Sequence, residues 1–453
     1  MLIKENNSDL LNPEIFNNFI NLLEKKETKK IFNKIKNFHP SEIASYIAVL
    51  NTKHRIKFLQ ILSDNLKIKI LSEIEPMLLK RVVNDMDFDF ILKAIQELDS
   101  DKIVLVIKSL DQRKRNLVLS RLVKRQRLFV EENLNFNDDT AGSLMQNEVV
   151  SIPVKFSVGE TIDFLRKKKK IPKIFHNIYV VDEKNKLLGT VDLCSIISSS
   201  RKKKIYDLMK KDNLSVHFSV DQEEVAYIFR KRNLTSIGVI NDNFELIGAI
   251  NVDDIVDVID IEAQEDIFKL AGMGNQSFYD AVISITKARF LWLFFNLIAA
   301  LIACFVIKSF EGTIEKFAVL AALMPIVGSM GGCSGTQSLT TAVRAIAMKQ
   351  LRWSNALRST GKEILIGIVN GLIFSTFAFV MIFLWFNDYL LSIIISISLF
   401  LNLIFGSFFG AFIPVILTKK GIDPAVASGT FVTTLTDIVG FLIFLSLATI
   451  LLI

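Results

Sequence analysis

Asp437 is the only acidic residue in the apolar stretch of residues 424–453. A charged side chain at the centre of a bilayer costs about 2.5–3.5 kcal/mol on insertion scales, so such a residue usually faces a partner, a cavity or an ion path. Polar and small residues fall at helical spacing along one stripe with it: Thr430, Thr433, Thr434, Asp437 and Gly440. Hydroxyl and carboxylate oxygens are suitable ligands for a hard cation. The alternative is a neutral carboxylic acid, hydrogen-bonded to a neighbouring helix.

A second segment, residues 325–338, is unusually rich in glycine and small polar residues for a lipid-facing helix. Proline and clustered glycines permit a broken helix with free carbonyls, which membranes tolerate where it lines protein or a cavity. The alternative for each glycine is close packing between helices. Because Asp437 needs a cavity, we predict that this segment contributes to its wall. The predicted wall residues are Gly328, Gly331, Gly332, Cys333, Gly335 and Gln337.

Five apolar stretches are long enough to span a bilayer. They are residues 290–307, 317–342, 364–386, 390–417 and 425–453. Lysine and arginine concentrate in the links that follow the second and fourth stretches, which predicts a cytoplasmic N-terminus and a C-terminus on the outer side. An odd number of spans excludes two equal inverted halves in one chain, and a pore between two identical subunits is a natural alternative.

A charged region precedes this membrane region, because only six of the 47 acidic residues follow residue 288. Residues 1–137 read as short amphipathic helices, with helix starts indicated at His39 and Asp99. Strings of short helices suggest a small superhelical domain. We therefore predict a multidomain fold. It has an all-α superhelical N-terminal domain, a tandem α/β repeat and a five-helix α transmembrane domain at residues 289–453.

The α/β repeat occupies residues 138–200 and 201–260. A Leu-Met pair recurs after 64 residues, and each copy closes with a glycine-centred strand, at Gly189 and Gly248. The pattern resembles a tandem pair of CBS domains, a regulatory module that commonly binds nucleotides or ions. The nucleotide pattern of those domains occurs here only at residues 251–254, so a nucleotide cofactor is weakly supported.

Features typical of other function classes are missing from the sequence. There is no nucleophile–base set, glycine-rich phosphate loop or His/Cys metal cluster, so we predict that the chain is not an enzyme. No basic module with interleaved aromatic residues accompanies the net charge of +7, which argues against a nucleic-acid partner. Two basic runs, residues 166–170 and 201–204, are candidates for contact with anionic membrane lipid, with a solvated surface as the alternative.

Residues 253–282 are predicted to form a connecting helix that is strongly acidic. Its carboxylates are Asp253, Asp254, Asp257, Asp260, Glu262, Glu265 and Asp266. Other acidic clusters contain Asp85, Asp87 and Asp89, and Asp221, Glu223 and Glu224. Brought together, these groups would repel each other, and a divalent cation would bridge them. The alternative for any one of them is a solvated surface charge.

This order of segments resembles the MgtE family of magnesium channels and transporters over nearly the whole chain. The resemblance is carried by Asp-Asp-Thr-Ala-Gly-Ser-Leu-Met at residues 138–145 and Gly-Gly-Cys-Ser-Gly-Thr-Gln-Ser at 331–338. It is also carried by Gly-Ile-Asp-Pro-Ala-Val-Ala-Ser at 421–428 and Thr-Thr-Leu-Thr-Asp at 433–437. The family often has asparagine where Cys333 stands.

The resemblance implies that Asp437 is the pore aspartate that holds hydrated Mg²⁺, and that Asp423 lies near the cytoplasmic mouth. It implies that the connecting helix is a "plug" with ion-binding positions at Asp254, Asp257, Glu262, Glu265 and Asp266, joined by Glu223 of the second CBS copy. Asp85, Asp87 and Asp89 are the candidate contribution of the N-terminal domain. The resemblance also implies a homodimer in the cytoplasmic membrane, with Mg²⁺ as both the transported and the regulatory ion.

The chemistry of Mg²⁺ agrees with this assignment, because the ion sheds water reluctantly and usually binds through one or two carboxylates. One Asp437 from each of two subunits would supply them. Two alternatives remain open from the residues alone. One is a CBS-regulated transporter of another ion, Co²⁺ or an anion, and the other is a membrane-anchored CBS sensor that does not conduct.

Overall fold

The computed structural model describes residues 13–74, 76–168, 175–211, 215–274, 282–427 and 429–453. Packing divides the chain into two compact units, residues 1–259 and 260–453. The first unit contains short helices followed by two small sheets, and the second contains long apolar helices. The predicted multidomain fold class is confirmed.

The described part of residues 13–134 forms ten short α-helices. They are α1 (Pro13–Glu24), α2 (Thr28–Ile35), α3 (Pro40–Val49), α4 (Thr52–Ile61), α5 (Asp64–Glu73), α6 (Pro76–Asn84), α7 (Phe88–Glu97), α8 (Ser100–Ser109), α9 (Gln112–Arg121) and α10 (Lys124–Leu134). The predicted start at His39 is confirmed, since its backbone N–H donates to the Glu42 carboxylate at 2.7 Å in a capping box. The apolar faces pack together, with the buried rings of Phe19 and Phe58 5.2 Å apart.

Two α/β repeats follow, and their sheets have the same topology. The first contains α11 (Ala141–Leu144), β1 (Ser151–Pro153), α12 (Val158–Lys167), β2 (Asn177–Val181), β3 (Leu187–Asp192) and α13 (Leu193–Ser198). The second contains α14 (Ile205–Leu208), β4 (Ser215–His217), α15 (Gln222–Arg232), β5 (Ser236–Ile240) and β6 (Leu246–Asn251). In each sheet the first strand pairs parallel to the second, and the second pairs antiparallel to the third. The Tyr179 hydroxyl donates to Ser236 Oγ at 3.1 Å and links the two sheets.

The connecting helix, α16 (Val252–Leu270), is shorter than the predicted span of residues 253–282. Gly272 adopts a positive φ of 65° after its last turn. The N–H groups of Gly272 and Met273 then bond back to the carbonyls of Lys269 and Phe268. This is a Schellman motif, which glycine favours because it lacks a Cβ, and it ends the helix twelve residues early. Residues 275–281 of the predicted span lie outside the described residues.

The second unit is built from α17 (Val282–Lys308), α18 (Glu311–Lys316), α19 (Val319–Ala347), α20 (Ala356–Phe386), α21 (Tyr389–Lys419) and α22 (Gly429–Leu452). Short 3₁₀ turns at Trp353–Asn355 and Pro424–Val426 precede α20 and α22. Among the described residues, five helices are long and apolar enough to cross a membrane. The five spans predicted from the sequence are therefore confirmed.

Pro325 and the clustered glycines permit a broken helix in the second span, but α19 runs without interruption through Pro325. An unbroken helix keeps its backbone groups bonded within itself, which the apolar surroundings require. Two glycines of α21 instead allow α19 to pack closely against that helix. A Cβ on Gly410 would lie 2.2 Å from the carbonyl oxygen of Gly335, and one on Gly406 would lie 2.6 Å from that of Gly331. The packing alternative therefore describes these positions.

Candidate ion path and cation-binding clusters

A cavity of about 590 Å³ lies between α19 and α22. Its lining mixes small, polar and aromatic residues: Pro325, Gly328, Ser329, Gly332, Cys333, Thr336, Gln337, Thr433, Asp437 and Phe441. Most of the α19 members recur every three or four residues, so they share one helix face. Six residues predicted from the sequence meet here: Gly328, Gly332, Cys333, Gln337, Thr433 and Asp437.

The carboxylate of Asp437 is partly buried and has no hydrogen-bond or ion-pair partner among the described residues. Two glycines of α19 leave space for the side chains of α22 that line this cavity. A Cβ on Gly328 would lie 2.9 Å from Asp437 Oδ1, and one on Gly332 would lie 2.9 Å from Thr433 Cγ2. Within the described residues, the alternative of an acid hydrogen-bonded to a neighbouring helix therefore has no partner to support it. An unpaired carboxylate at the wall of a cavity of this size can bind a hydrated cation.

Five residues predicted to line the same cavity face elsewhere: Gly331, Gly335, Gly440, Thr430 and Thr434. The three glycines lie in contacts between helices. The two threonines line a second, largely apolar cavity of about 460 Å³ together with Trp292 and Phe295 of α17. The expectation of a single stripe is corrected here. Its five positions cover about a third of the helix circumference, which is wide enough to face two surfaces.

In the first unit, the start of α16 meets α8 at a buried ionic cluster. The Lys102 ammonium lies 3.5 Å from a carboxylate oxygen of Asp101 and 3.5 Å from one of Asp254. Gln146 Nε2 donates to the other Asp254 oxygen at 3.1 Å. Asp101 and Asp254 are only 5% and 8% exposed. Neither oxygen of Asp101 has a hydrogen-bond partner among the described residues.

This cluster has more negative than positive charge. Burial, reinforced by the nearby Asp101 carboxylate, raises the pKa of Asp254 to about 7. Burial also raises the pKa of Asp101. Burial alone would lower the pKa of Lys102, but Asp101, Asp254 and Asp257 outweigh it and the net shift is upward. One ammonium thus serves three carboxylates, an arrangement that favours an added cation.

The donor set fits Mg²⁺ in one respect, because the unpaired oxygens of Asp101 are carboxylate oxygens, the ligand type that this ion prefers. In the part of the chain that the structure describes, no three His, Cys, Asp or Glu side chains converge into a metal cage. A cation at this cluster would therefore keep much of its water, as Mg²⁺ usually does.

Sequence reasoning missed Asp101 and favoured three other acids of the N-terminal domain. Asp85 instead forms an ion pair with Arg55 at 2.5 Å, Asp87 accepts the Phe88 N–H at 3.0 Å at the start of α7, and Asp89 lies in the first turn of that helix. The signal for Asp101 was the acidic pair at the start of α8, which the sequence presented only as a helix start. Its burial depends on tertiary structure, which also brings the neighbouring Lys102 within 3.5 Å of Asp254.

In the second unit, the end of α16 holds another ionic cluster. Lys269 Nζ lies 2.5 Å from Glu265 Oε1 and 2.5 Å from Asp423 Oδ2. The second oxygen of Asp423 accepts the Ala425 N–H at 2.9 Å, so both of its oxygens have donors from the protein. Burial, and next the Asp423 carboxylate, raise the pKa of Asp266. Burial opposes the ammonium form of Lys269, but the bonds to Asp423 and Glu265 outweigh it and raise its pKa.

The remaining predicted ion-binding residues lie outside the two ionic clusters or have other partners. Glu223 lies in the first turn of α15, where its N–H donates to Asp221 at 2.8 Å, and Glu262 lies on α16. Asp254 is the last residue of the segment 251–254 that resembles the nucleotide pattern of CBS domains, and it contacts Lys102 and Gln146. A nucleotide site stays a prediction.

The two basic runs are placed only in part. In the run at residues 201–204, Arg201 pairs with Asp163 at 2.8 Å. In the run at residues 166–170, positions 169 and 170 lie outside the described residues. Contact of these runs with lipid stays a prediction.

Comparison with known proteins gives a consistent family. Residues 324–447 match MgtE, a divalent cation transporter, residues 38–139 match the MgtE intracellular N domain, and residues 141–202 and 205–261 match the CBS domain. The chain is 31% identical to Magnesium transporter MgtE of Enterococcus faecalis over 319 residues, which is 70% of each chain. It is 31% identical to Magnesium transporter MgtE of Bacillus subtilis over 317 residues, again 70% of each chain. A crystal structure of the soluble part of a magnesium transporter is 27% identical, covers 55% of this chain and 98% of that chain, and gives a TM-score of 0.47.

The Asp101–Asp254 cluster gives a first test. Asp101→Asn should raise the midpoint of thermal unfolding in chelator, because it removes one of the buried carboxylates that share the single ammonium of Lys102, and a buried polar group without a hydrogen bond costs about 1–3 kcal/mol. The same change should reduce the additional stabilisation produced by millimolar-range Mg²⁺, because it removes a candidate ligand. Asp111→Asn, at the exposed start of α9, is the matched control and should behave as the parent in both conditions. An Asp101→Asn protein with no gain in chelator and an undiminished Mg²⁺ response would contradict this account of the cluster.

Proposed function

The chain belongs to the MgtE family of magnesium transporters, and from this we propose that it conducts Mg²⁺ through the cavity beside Asp437. The observation that carries the proposal is the Asp437 carboxylate, which faces that cavity without a partner among the described residues. Mg²⁺ is bound in proteins through few carboxylates and keeps several waters. One carboxylate in a space of about 590 Å³ suits such an ion, whereas a dehydrated Ca²⁺ would need more oxygen ligands.

The chain is a multi-pass membrane protein, and we propose that conduction brings Mg²⁺ into the cytoplasm across the cytoplasmic membrane. The support for the orientation is the positive-inside asymmetry of the links. It places the first unit, the link between α19 and α20, and the link between α21 and α22 in the cytoplasm, and the end of α22 outside. Asp423 then belongs to the cytoplasmic side.

We also propose that the working form is a homodimer. Five spans supply a single cavity carboxylate per chain, so a symmetric path with two carboxylates needs a second copy. Two Asp437 side chains facing one hydrated ion would provide the one or two direct carboxylate contacts that Mg²⁺ usually accepts.

Regulation by cytosolic Mg²⁺ is the third part of the proposal, and the cluster of Asp101, Lys102 and Asp254 supports it. At low Mg²⁺, repulsion among carboxylates served by a single lysine weakens the contact of α8 with α16. Mg²⁺ bound there neutralises the excess charge and holds the two helices together. Since α16 continues to the membrane unit, a cation-dependent contact at its start is suited to bias a two-state gate.

Lys269 gives the other end of α16 a different chemistry. Its ammonium lies directly between Glu265 and Asp423, two residues that the sequence presented as ion ligands. The Lys269 ammonium already bridges these two carboxylates. The second Asp423 oxygen accepts the backbone N–H of Ala425. We therefore propose that this contact is held by Lys269 without Mg²⁺, and that the regulatory ion acts nearer the start of the helix.

The conduction path is tested by flux. Purified chain in liposomes should pass Mg²⁺, and Asp437→Ala should abolish or strongly reduce that flux, because the carboxylate replaces part of the ion's water shell. Glu311→Gln, an exposed carboxylate at the start of α18, is the matched control and should conduct as the parent. Full Mg²⁺ flux in the Asp437→Ala protein would rule out this path. Parallel measurements with Co²⁺ and with anions separate the alternative cargoes, and a chain that passes none of them is a sensor.

The dimer is tested by mass. Native mass measurement in detergent or in lipid nanodiscs should give twice the chain mass of 51.2 kDa. Because each subunit contributes one Asp437, a mixed dimer with one Asp437→Ala subunit should conduct less than the parent and more than the double variant. A monomer that retains full Mg²⁺ flux would contradict the proposal.

The role of Lys269 is tested by charge removal. Lys269→Gln leaves Glu265, Asp266 and Asp423 facing one another without their ammonium, so flux at low Mg²⁺ should rise. Closure should need about fivefold more Mg²⁺, as expected for the loss of about 1 kcal/mol. Lys269→Arg keeps the charge and should remain close to the parent. If the glutamine variant closes at the parental concentration, or the arginine variant is equally affected, the ammonium is not what holds this contact.

A further inference from the structure

Asn402 is a fully buried amide in the middle of α21, within the membrane unit. Polar side chains at such positions are expensive unless they are hydrogen-bonded. Only half of this amide is satisfied. Its Nδ2 donates to the carbonyl oxygen of Val327 on α19 at 2.8 Å, whereas its Oδ1 has no hydrogen-bond partner among the described residues. An apolar side chain would avoid that cost, so packing alone does not account for an asparagine here.

The amide occupies a slot formed by glycines from two different helices. A Cβ on Gly331 of α19 would lie 2.2 Å from Asn402 Nδ2, and a Cβ on Gly440 of α22 would lie 2.5 Å from the same atom. Neither position could therefore carry a side chain while the amide is present. Asn402 thus stands between α19 and α22 and is in contact with both.

These contacts lie directly behind the wall of the Asp437 cavity. Val327, which accepts the bond, precedes Gly328, whose missing Cβ makes room for the Asp437 carboxylate. Gly440 follows Asp437 by about one helical turn on α22. A change in the distance between α19 and α22 at Asn402 therefore changes the space around Asp437.

We propose that Asn402 is a positioning residue for ion conduction, and that its amide sets the separation of α19 and α22 at the level of Asp437. The inference rests on the proposed conduction path for its consequence. The separation itself is a property of the cavity, which can be measured without transport. The bond to Val327 fixes the amide on α19, and the glycine at 440 lets α22 approach the same amide nitrogen closely.

Cys333 provides a native probe of the cavity, since it is exposed and lines the same wall as Asp437. With Cys194→Ser and Cys304→Ser as the background, the rate at which a water-soluble methanethiosulfonate modifies Cys333 reports the width of the cavity. Asn402→Leu keeps the branching of the side chain and removes the hydrogen bond. Ser398→Ala is the matched control, because Ser398 is equally buried on α21 but bonds only to Ile394 of its own helix.

Asn402→Leu should retain the parental unfolding midpoint within a few degrees, because loss of one bond is offset by removal of the unpaired oxygen. It should change the modification rate of Cys333 by about tenfold and lower Mg²⁺ flux by a similar factor, since small misplacements of binding groups are costly. Ser398→Ala should change neither. If Asn402→Leu does not assemble, Asn402→Ser replaces it and is judged by the same two rates.

A stable Asn402 variant with parental Cys333 reactivity and parental flux would overturn the proposal. If the parent chain itself passes no Mg²⁺, the conduction proposal fails while the Cys333 rates still decide whether Asn402 sets the cavity. Changed reactivity with unchanged flux would also overturn it, because the separation would then have no bearing on conduction.

Discussion

The cost of placing one unpaired carboxylate inside a membrane determines much of the second unit. Asp437 has no compensating side chain among the described residues, and the adjoining cavity has room for the water and ions that would stabilise its charged form. That cavity exists because α19 presents Gly328 and Gly332 instead of larger residues at the positions that face α22. The opposite side of α19 compensates by packing closely on α21, where Gly335 meets Gly410. The cavity around Asp437 and a tight helix–helix contact are thus two faces of one helix.

Charge balance also matters in the connecting helix, and it differs between the two ends of that helix. Each end places several carboxylates near a single lysine. At the start, neither oxygen of the buried Asp101 accepts a hydrogen bond among the described residues, and Asp101 shares the Lys102 ammonium with Asp254, so negative charge is in excess there. At the end, Lys269 contacts two carboxylates directly, and Asp423 has a second donor from the backbone. What separates a site that favours an added cation from one that does not is the number of unpaired oxygens, since the ratio of acids to lysines is similar.

The sequence was sufficient for features that depend on local pattern. Five spans, the repeated α/β unit and the helix start at His39 follow from hydropathy, periodicity and cap chemistry, and all are present. The cavity residues closest to Asp437 could be predicted because a carboxylate in an apolar stretch is a strong signal. What could not be predicted depends on which faces meet. Thr430 and Thr434 share a stripe with Asp437 but turn toward α17, and Asp101 becomes important only because α8 packs on α16. The end of α16 depended on a backbone conformation at Gly272 that spacing does not reveal.

The crossing of α19 and α21 has a consequence for how this protein can evolve. A side chain of any size at Gly410 would place its first carbon 2.2 Å from the carbonyl oxygen of Gly335, so every possible missense change at that codon creates the same collision. Gly406 is in the same situation, 2.6 Å from the carbonyl oxygen of Gly331, whereas a Cβ on Gly331 would meet the Asn402 amide at 2.2 Å. Exposed lipid-facing positions can exchange freely among apolar residues by neutral drift. These glycine positions cannot. A substitution there would need the two helices to move apart, and that movement would disturb the neighbouring Asp437 cavity. Lineages of this chain should therefore diversify on the outer faces of α17 and α20 while the crossing stays fixed.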